Sequence, residues 1–275
     1  MQHDRNHRGK FYVVGIGPAG PQTATLQALE AIRQADAIVA PLEKADLFAD
    51  YIQDKPVLFD PWEGFWEHNG VPCMDLEPKL AREFQNNRFK ARDERVGKIR
   101  ALLEQGQNVA LLDSGNPCFF APSHWYVEQF DERELEIIPG MGCEAAALAA
   151  LGKSIIPSYG NSFVLQTSAI KLKDFPLAWP GQKDIHGNMV IYMVFKDPVA
   201  LFFKLAGLYT QDTPCAIVYW AGDSQRQRVI RGTVKNMAKK IEAENNRMGL
   251  LFVGDFLTSK PYEAAMRRDL ARAGE

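Results

Sequence analysis

The first regular pattern along the chain starts at Phe11. An apolar, β-branched run, FYVVG, is followed by a Gly- and Pro-rich turn, IGPAGPQTAT. The next segment, LQALEAIRQ, places apolar residues at helical spacing, and a second apolar run, AIVA, stops at Pro41. This succession predicts strand, loop, helix and strand, the opening of an α/β nucleotide-binding domain. Leu26, Leu29 and Ile32 form the expected buried stripe, with Thr23 or Thr25 as N-cap. Residues 91–105 carry Val96, Ile99, Leu102 and Leu103 at helical spacing and meet a stop at Gly106. Residues 109–112 and 136–138 read as strands, and 143–151 as an alanine-rich helix.

After a linker expected at 157–161, strands are predicted at 163–167, 189–194, 216–220, 229–232 and 250–253. Helices are predicted at 198–208 and at 234–245, the second capped by Thr233. Residues 60–78 fit no regular element and read as a long aromatic and acidic loop. In the N-terminal half strand and helix alternate, as a parallel sheet requires. The pattern divides into an N-terminal α/β domain over 9–157 and a C-terminal α/β domain over 158–258.

Gly15, Gly17 and Gly20 spell G-x-G-x-x-G. In the dinucleotide fingerprint the helix starts inside the glycine run and aims its N-terminus at a pyrophosphate. Here Pro21 would fall in the first turns of that helix, where its ring and missing N–H are disruptive. The acidic residue that should end the second strand is also misplaced, since Asp36 precedes that strand. A flavin or nicotinamide cofactor is therefore disfavoured.

The segment GIGPAGPQTATLQALEAIRQADAIVAP resembles the opening of the tetrapyrrole (precorrin/corrin) methylases, whose pattern is a strand, G-x-G-P-G-D-P, a Thr and a helix. Three further segments resemble family motifs in the family's order. They are VALLDSGNPCFF (109–120), LEIIPGMGCEAAALAALG (135–152) and DTPCAIVYWAGDSQRQRVIRGTV (212–234). The resemblance implies two α/β domains with S-adenosylmethionine (SAM) bound in the cleft between them, and a homodimer. It implies transfer of the sulfonium methyl to a small-molecule acceptor, a tetrapyrrole or precorrin, leaving S-adenosylhomocysteine. Carried over by position, it implies SAM contacts from Gly17, Pro18, Gly115, Asn116, Phe119, Cys143, Met193 and Ala221. The departures are Gly20 and Asn116 where the family has Asp, and Phe120 where it has Tyr. They leave open a methyltransferase with another acceptor, such as a peptide, or a catalytically silent protein that holds SAM or a tetrapyrrole.

Composition narrows the field. The chain has 275 residues, enough for two modest domains, and a net charge of −2 that gives no pull towards nucleic acid or membrane. Cys73, Cys118, Cys143 and Cys215 lack C-x-x-C spacing, and the five histidines lack metal-ligand spacing. The polar start MQHDRNHRGK has no signal-peptide core, and residues 1–8 are expected to fray. A cytoplasmic protein with reduced thiols and no metal is the expectation.

Methyl transfer from a sulfonium needs alignment more than acid or base groups. Should a proton have to leave the acceptor, Asp113 is the candidate base, although an acid there also suits a turn or N-cap. Trp62, Phe65, Trp66 and His68 could stack on a flat macrocycle, pack as a lid, or meet a second subunit. Arg88 and Arg92, within a run that includes Arg82, Lys90 and Arg95, could meet acceptor carboxylates or form a solvated helix face.

Overall fold

A computed structural model describes residues 8–156, 163–172, 187–193, 198–241 and 249–273. The chain divides into two compact units, Met1–Gly142 and Cys143–Glu275. The linker expected at 157–161 lies outside the described residues, as do positions 1–7 of the expected frayed end. Arg8 itself is held by Glu134 at 2.8 Å.

The first unit has a four-stranded parallel sheet built from β1 (Phe11–Gly15), β2 (Ala37–Val39), β3 (Val109–Asp113) and β4 (Leu135–Ile138), in the order β2-β3-β1-β4. Side chains alternate across the strands, so each face takes every second residue. Val14, Ala110, Leu112 and Ile138 meet Leu29 and Ile32 of α1 (Leu26–Gln34). Phe11, Val13, Val109 and Leu111 meet Val96, Ile99 and Leu103 of α2 (Pro78–Glu104) and Tyr126. Each fully buried Leu or Ile stabilises by roughly 1.5–3 kcal/mol, so both faces are strongly specified. The stripe expected on α1 is corrected at one position. Leu29 and Ile32 are buried, but Leu26 is 86% exposed at the helix start, ahead of the face that meets the sheet.

Helix α2 starts well before residue 91, at Pro78, because Pro suits a first helical turn. The loop of residues 60–78 contains more structure than expected. Glu67–His68 and Val71–Pro72 pair as a small antiparallel hairpin. Its turn is Asn69-Gly70, both left-handed at φ 51 and 77, as a two-residue hairpin turn requires.

The second unit begins with α3 (Cys143–Leu151), whose Ala146, Ala147 and Leu151 pack on Val190, Ala216 and Val218. Its five-stranded sheet comprises β5 (Val164–Ser168), β6 (Asn188–Tyr192), β7 (Pro214–Tyr219), β8 (Arg228–Thr233) and β9 (Gly249–Val253). The order is β8-β7-β9-β6-β5. Strand β9 runs antiparallel to both β6 and β7, so those two strands end at the same edge of the sheet. The opposite face packs on Leu201, Phe202 and Leu205 of α4 (Pro198–Ala206). The helix predicted from 234 to 245 is not formed over its described part. Thr233 ends β8 and donates its backbone N–H to Asn236 Oδ1, and only a 3-10 turn, Met237–Lys239, follows. Residues 242–248 lie outside the described residues. A final helix, α5 (Pro261–Ala273), was not legible in the pattern.

Candidate active site

In open α/β sheets ligands bind beyond the carboxyl ends of the strands. Gly15 and Asp113 end β1 and β3 as register partners, so the two Gly-Pro loops leave the sheet side by side. They are stitched together. Ile16 N–H donates to the Asp113 carbonyl at 2.9 Å, and Gly115 N–H donates to the Gly17 carbonyl at 2.9 Å. Gly17 N–H returns a longer bond to the Gly115 carbonyl at 3.4 Å. A Cβ on Gly15 would lie 2.6 Å from Pro117 Cδ and 2.5 Å from Gly140 N, so no side chain fits. A Cβ on Gly140 would collide with the Gly115 carbonyl. Gly115 differs: at φ 79 it is left-handed, yet a Cβ there would meet no heavy atom within 4 Å. The crossing of the loops is closed on the protein side and open at Gly115.

The stretch after Pro18 is wound onto itself. Thr23 Oγ1 accepts from Ala19 N–H at 3.1 Å and donates to the Gly20 carbonyl at 2.9 Å. Pro21–Thr23 is a single 3-10 turn, separate from α1. Thr25, not Thr23, caps α1 by accepting from Ala28 N–H at 3.0 Å. Its hydroxyl also donates to the Pro139 carbonyl at 3.3 Å. The glycine run is thus separated from the helix N-terminus, which is the reverse of a dinucleotide cradle. Asp36 accepts from Asn108 N–H at 2.7 Å, a structural role at the strand start. Gly20 sits at φ 106, ψ −167, a region open essentially to glycine alone.

In the second loop Asn116 Oδ1 accepts from Cys118 N–H at 3.0 Å, and its carbonyl accepts from Phe119 N–H at 3.0 Å. An Asp could make the same turn, so Asn116 keeps the loop shape and removes the charge. Phe119 is 38% exposed beside it. Asp113 is almost fully buried, and its Oδ2 has no hydrogen-bond partner. Burial raises its pKa above the usual carboxylate value. The Ser123 and Ser114 amides and the charge of His124 offset part of that rise.

The second unit gathers Cys143, Met193 and Ala221 into one cluster with Tyr192. Met193 follows β6 and is left-handed at φ 53. Trp220 follows β7 and is left-handed at φ 51, with the Arg226 guanidinium 3.9 Å from its ring centroid. Tyr192 places its hydroxyl 3.4 Å from both Glu144 Oε2 and Gln166 Oε1. Burial, with Glu144 beside it, raises the Tyr192 pKa and keeps the phenol protonated. The same two causes push the Cys143 thiol up to about 12, so it is a neutral wall group rather than a nucleophile. Sequence reasoning missed Tyr192, Glu144 and Trp220. Their signal was adjacency, since each neighbours a residue that the family motif singles out.

The aromatic loop packs on its own unit. Trp62 is half-buried against Phe65 and Tyr126, with ring centroids 5.5 and 6.0 Å away. Trp66 is 49% exposed and sits edge-on to Phe65. Arg92 pairs with Asp93 at 2.8 Å and lies over the rings of Phe89 and Trp125. Arg88 lies 3.8 Å from the Phe65 centroid. Hairpin, helix and Trp125 line a half-open cavity of about 330 Å³. Among the described residues there is no group of side chains that could hold a metal ion, and no helix is long and apolar enough to cross a membrane.

These features define an α/β fold whose glycine-rich loops cross beyond the sheet, apart from any helix N-terminus. The family model for tetrapyrrole (corrin/porphyrin) methylases matches residues 10–238. The chain is 24% identical over 265 residues to the cobalt-precorrin-4 C(11)-methyltransferase of Methanocaldococcus jannaschii, covering 92% of this chain and 90% of that protein. It is 27% identical over 254 residues to the uroporphyrinogen-III C-methyltransferase of Bacillus subtilis, covering 90% of each. Its fold is similar to the crystal structure of uroporphyrin-III C-methyltransferase from Thermus thermophilus complexed with S-adenosylhomocysteine. That likeness has a TM-score of 0.60 at 17% identity and covers 90% of this chain and 99% of the other. The chain belongs to the tetrapyrrole (corrin/porphyrin) methylases, enzymes that take their methyl group from SAM.

Proposed function

We propose that this protein transfers the methyl of SAM to a tetrapyrrole or precorrin acceptor. The observation that carries the reading is the pair of stitched loops beyond β1 and β3, sterically closed at Gly15 and Gly140 and open at Gly115. Glycine there lets backbone amides and carbonyls approach a ligand that carries no phosphate. Gly17, Pro18, Gly115, Asn116 and Phe119 are the SAM contacts of the first unit. Cys143, Met193 and Ala221 are those of the second, and their gathering in one cluster supports the assignment. Trp62, Trp66, Arg88 and Arg92 are proposed for the acceptor.

The reaction breaks the S–CH3 bond, forms a bond from the acceptor to that methyl and leaves a neutral thioether. The protein's work is to align the acceptor and keep water away. Asp113 is the proposed proton acceptor. Its raised pKa and unpartnered Oδ2 give it room for one proton. Calorimetric titration with S-adenosylhomocysteine, followed by radiolabelled methyl transfer to a panel of precorrins and uroporphyrinogen III, tests the reading. Lack of S-adenosylhomocysteine binding would overturn it, and binding without turnover would mark a silent SAM-holding protein. The protein is further proposed to be a cytoplasmic two-fold homodimer. A monomeric mass by light scattering at micromolar concentration would contradict the dimer.

A further inference from the structure

Arg88 and Arg95 of α2 contact the aromatic loop, Arg92 lies over Phe89 and Trp125, and the three are treated differently. Arg92 is paired with Asp93, and Arg95 with Glu63 at 3.4 Å. Arg88 forms no ion pair among the described residues. Its Nε is buried without a hydrogen-bond partner, and its Nη1 reaches only Gln85 Oε1 at 3.2 Å. Aromatic faces hold it instead. Phe65 lies 3.8 Å, Trp125 5.2 Å and Phe84 5.3 Å from the guanidinium carbon. Burial lowers its pKa, opposed only by nearby Cys73, so the cation is held at a cost. Arg88 is half-buried, so the charge keeps part of its hydration, while its Nε has lost water without gaining a bond.

Arg88 also lines the cavity of about 330 Å³, together with Phe65, Phe84, Asn87, His68 and Trp125. Of the acids on its wall, Glu63 is already engaged by Arg95, and Glu67 is exposed. Stacking uses the faces of a guanidinium and leaves its N–H edges, a planar fork that matches a carboxylate. Aromatic walls beside the fork suit a flat apolar ring carrying that carboxylate.

We propose that this cavity is a carboxylate-binding site, in which Arg88 takes one acid group borne on a flat ring system. Two sources share this chemistry: an acid side chain of the acceptor, or a separate small aromatic acid. Naming the acceptor as a source rests on the function proposed above.

The test is calorimetry on the full chain with uroporphyrin III and, separately, with phthalate. Wild type, Arg88→Met, Arg88→Lys and the charge control Lys79→Gln are compared, with S-adenosylhomocysteine affinity and Tm read for each. The expected result is a loss of tenfold or more in Arg88→Met and a smaller loss in Arg88→Lys. Lys79→Gln should match wild type, and S-adenosylhomocysteine affinity should hold throughout. Loss for uroporphyrin III alone assigns the acceptor's acid side chain, and loss for phthalate alone assigns a separate acid. No binding of either probe to wild type overturns the proposal, as does unchanged affinity in Arg88→Met. A fall in Tm and S-adenosylhomocysteine affinity shared by Arg88→Met and Arg88→Lys also overturns it, because Arg88 would then be a structural pillar. Failure of S-adenosylhomocysteine to bind wild type counts against the methyltransferase reading instead, and leaves the Arg88 comparison standing.

Discussion

The carboxyl edges of the two sheets turn the chain in opposite ways. At the first edge glycine takes the closest approaches: at Gly15, Gly17 and Gly140 nothing larger fits because protein atoms crowd the Cβ position, although Phe120, further along the second loop, is left-handed at φ 55. Directly beyond β6 and β7 the left-handed residues are Met193 and Trp220, at φ 53 and 51, with Gly222 following Trp220 at φ 88. A left-handed conformation costs a side-chain-bearing residue about 1–2 kcal/mol. The first edge removes side chains so that backbone can be presented. The second retains bulky side chains in a costly conformation, which points to a use for the side chains themselves. Met193 shares a cluster with Cys143 and Ala221, and Trp220 carries the Arg226 cation.

The comparison breaks most visibly at Gly140. Gly140→Ala forces a Cβ into the Gly115 carbonyl and should destabilise the first unit by about 3 kcal/mol. Denaturant unfolding reads this, and an unchanged midpoint would mean the loops are not locked. Gly115→Leu comes next. The space there is open, so the variant should fold with a local cost of about 1–2 kcal/mol. Its side chain should fill the ligand's place and weaken S-adenosylhomocysteine by about 2 kcal/mol, roughly thirtyfold. Full affinity would remove this loop from the site.

Met193→Asn sharpens the other half of the comparison. Asn tolerates the left-handed region, so stability should stay within about 1 kcal/mol of wild type. Affinity for S-adenosylhomocysteine should fall several-fold by calorimetry, and no change would make Met193 a plain core residue. Asp113→Asn has the smallest effect on stability. A raised carboxyl pKa means the folded state favours the proton. The contribution of Asp113 is therefore present below its ordinary value of 3.8 and is lost as pH rises through the folded value. The neutral isostere should flatten that slope and raise stability at neutral pH. Methyl transfer should drop while S-adenosylhomocysteine affinity holds; unimpaired turnover would leave Asp113 a structural group.

Much of the first edge was legible in the chain. Apolar runs at Phe11 and Val109 gave β1 and β3, and Pro21 showed that the glycine run could not open a helix. The family motifs picked out Cys143, Met193 and Ala221, which the fold gathers. What escaped depended on tertiary neighbours. Leu26 has helical spacing but lies ahead of the sheet, so periodicity alone misplaced it. The run of arginines on α2 looked uniform, and only the positions of Asp93, Glu63 and Phe65 separate Arg88 from Arg92 and Arg95. The Glu67–His68 and Val71–Pro72 hairpin is too short to leave a period, although Asn69-Gly70 was its available signal. Over the described residues after Thr233 only the Met237–Lys239 3-10 turn forms, and helical spacing of apolar residues does not separate such a turn from an α-helix.

Gly20 has a consequence for how this sequence can change. Its φ of 106 with ψ of −167 belongs to glycine, and Leu47 and the Gln22 side chain stand 3.1 and 3.2 Å from where a Cβ would be. Restoring the acidic residue that the family motif carries is thus not a matter of one codon. The intermediate would hold Asp in a backbone state that Asp does not tolerate, and the Ala19–Thr23 knot would have to be retied in the same step. In this fold a carboxylate at position 20 therefore requires its neighbours to shift at the same time, whereas glycine fits as it stands. Descendants of this sequence are therefore expected to diversify around Gly20 while holding the glycine itself fixed.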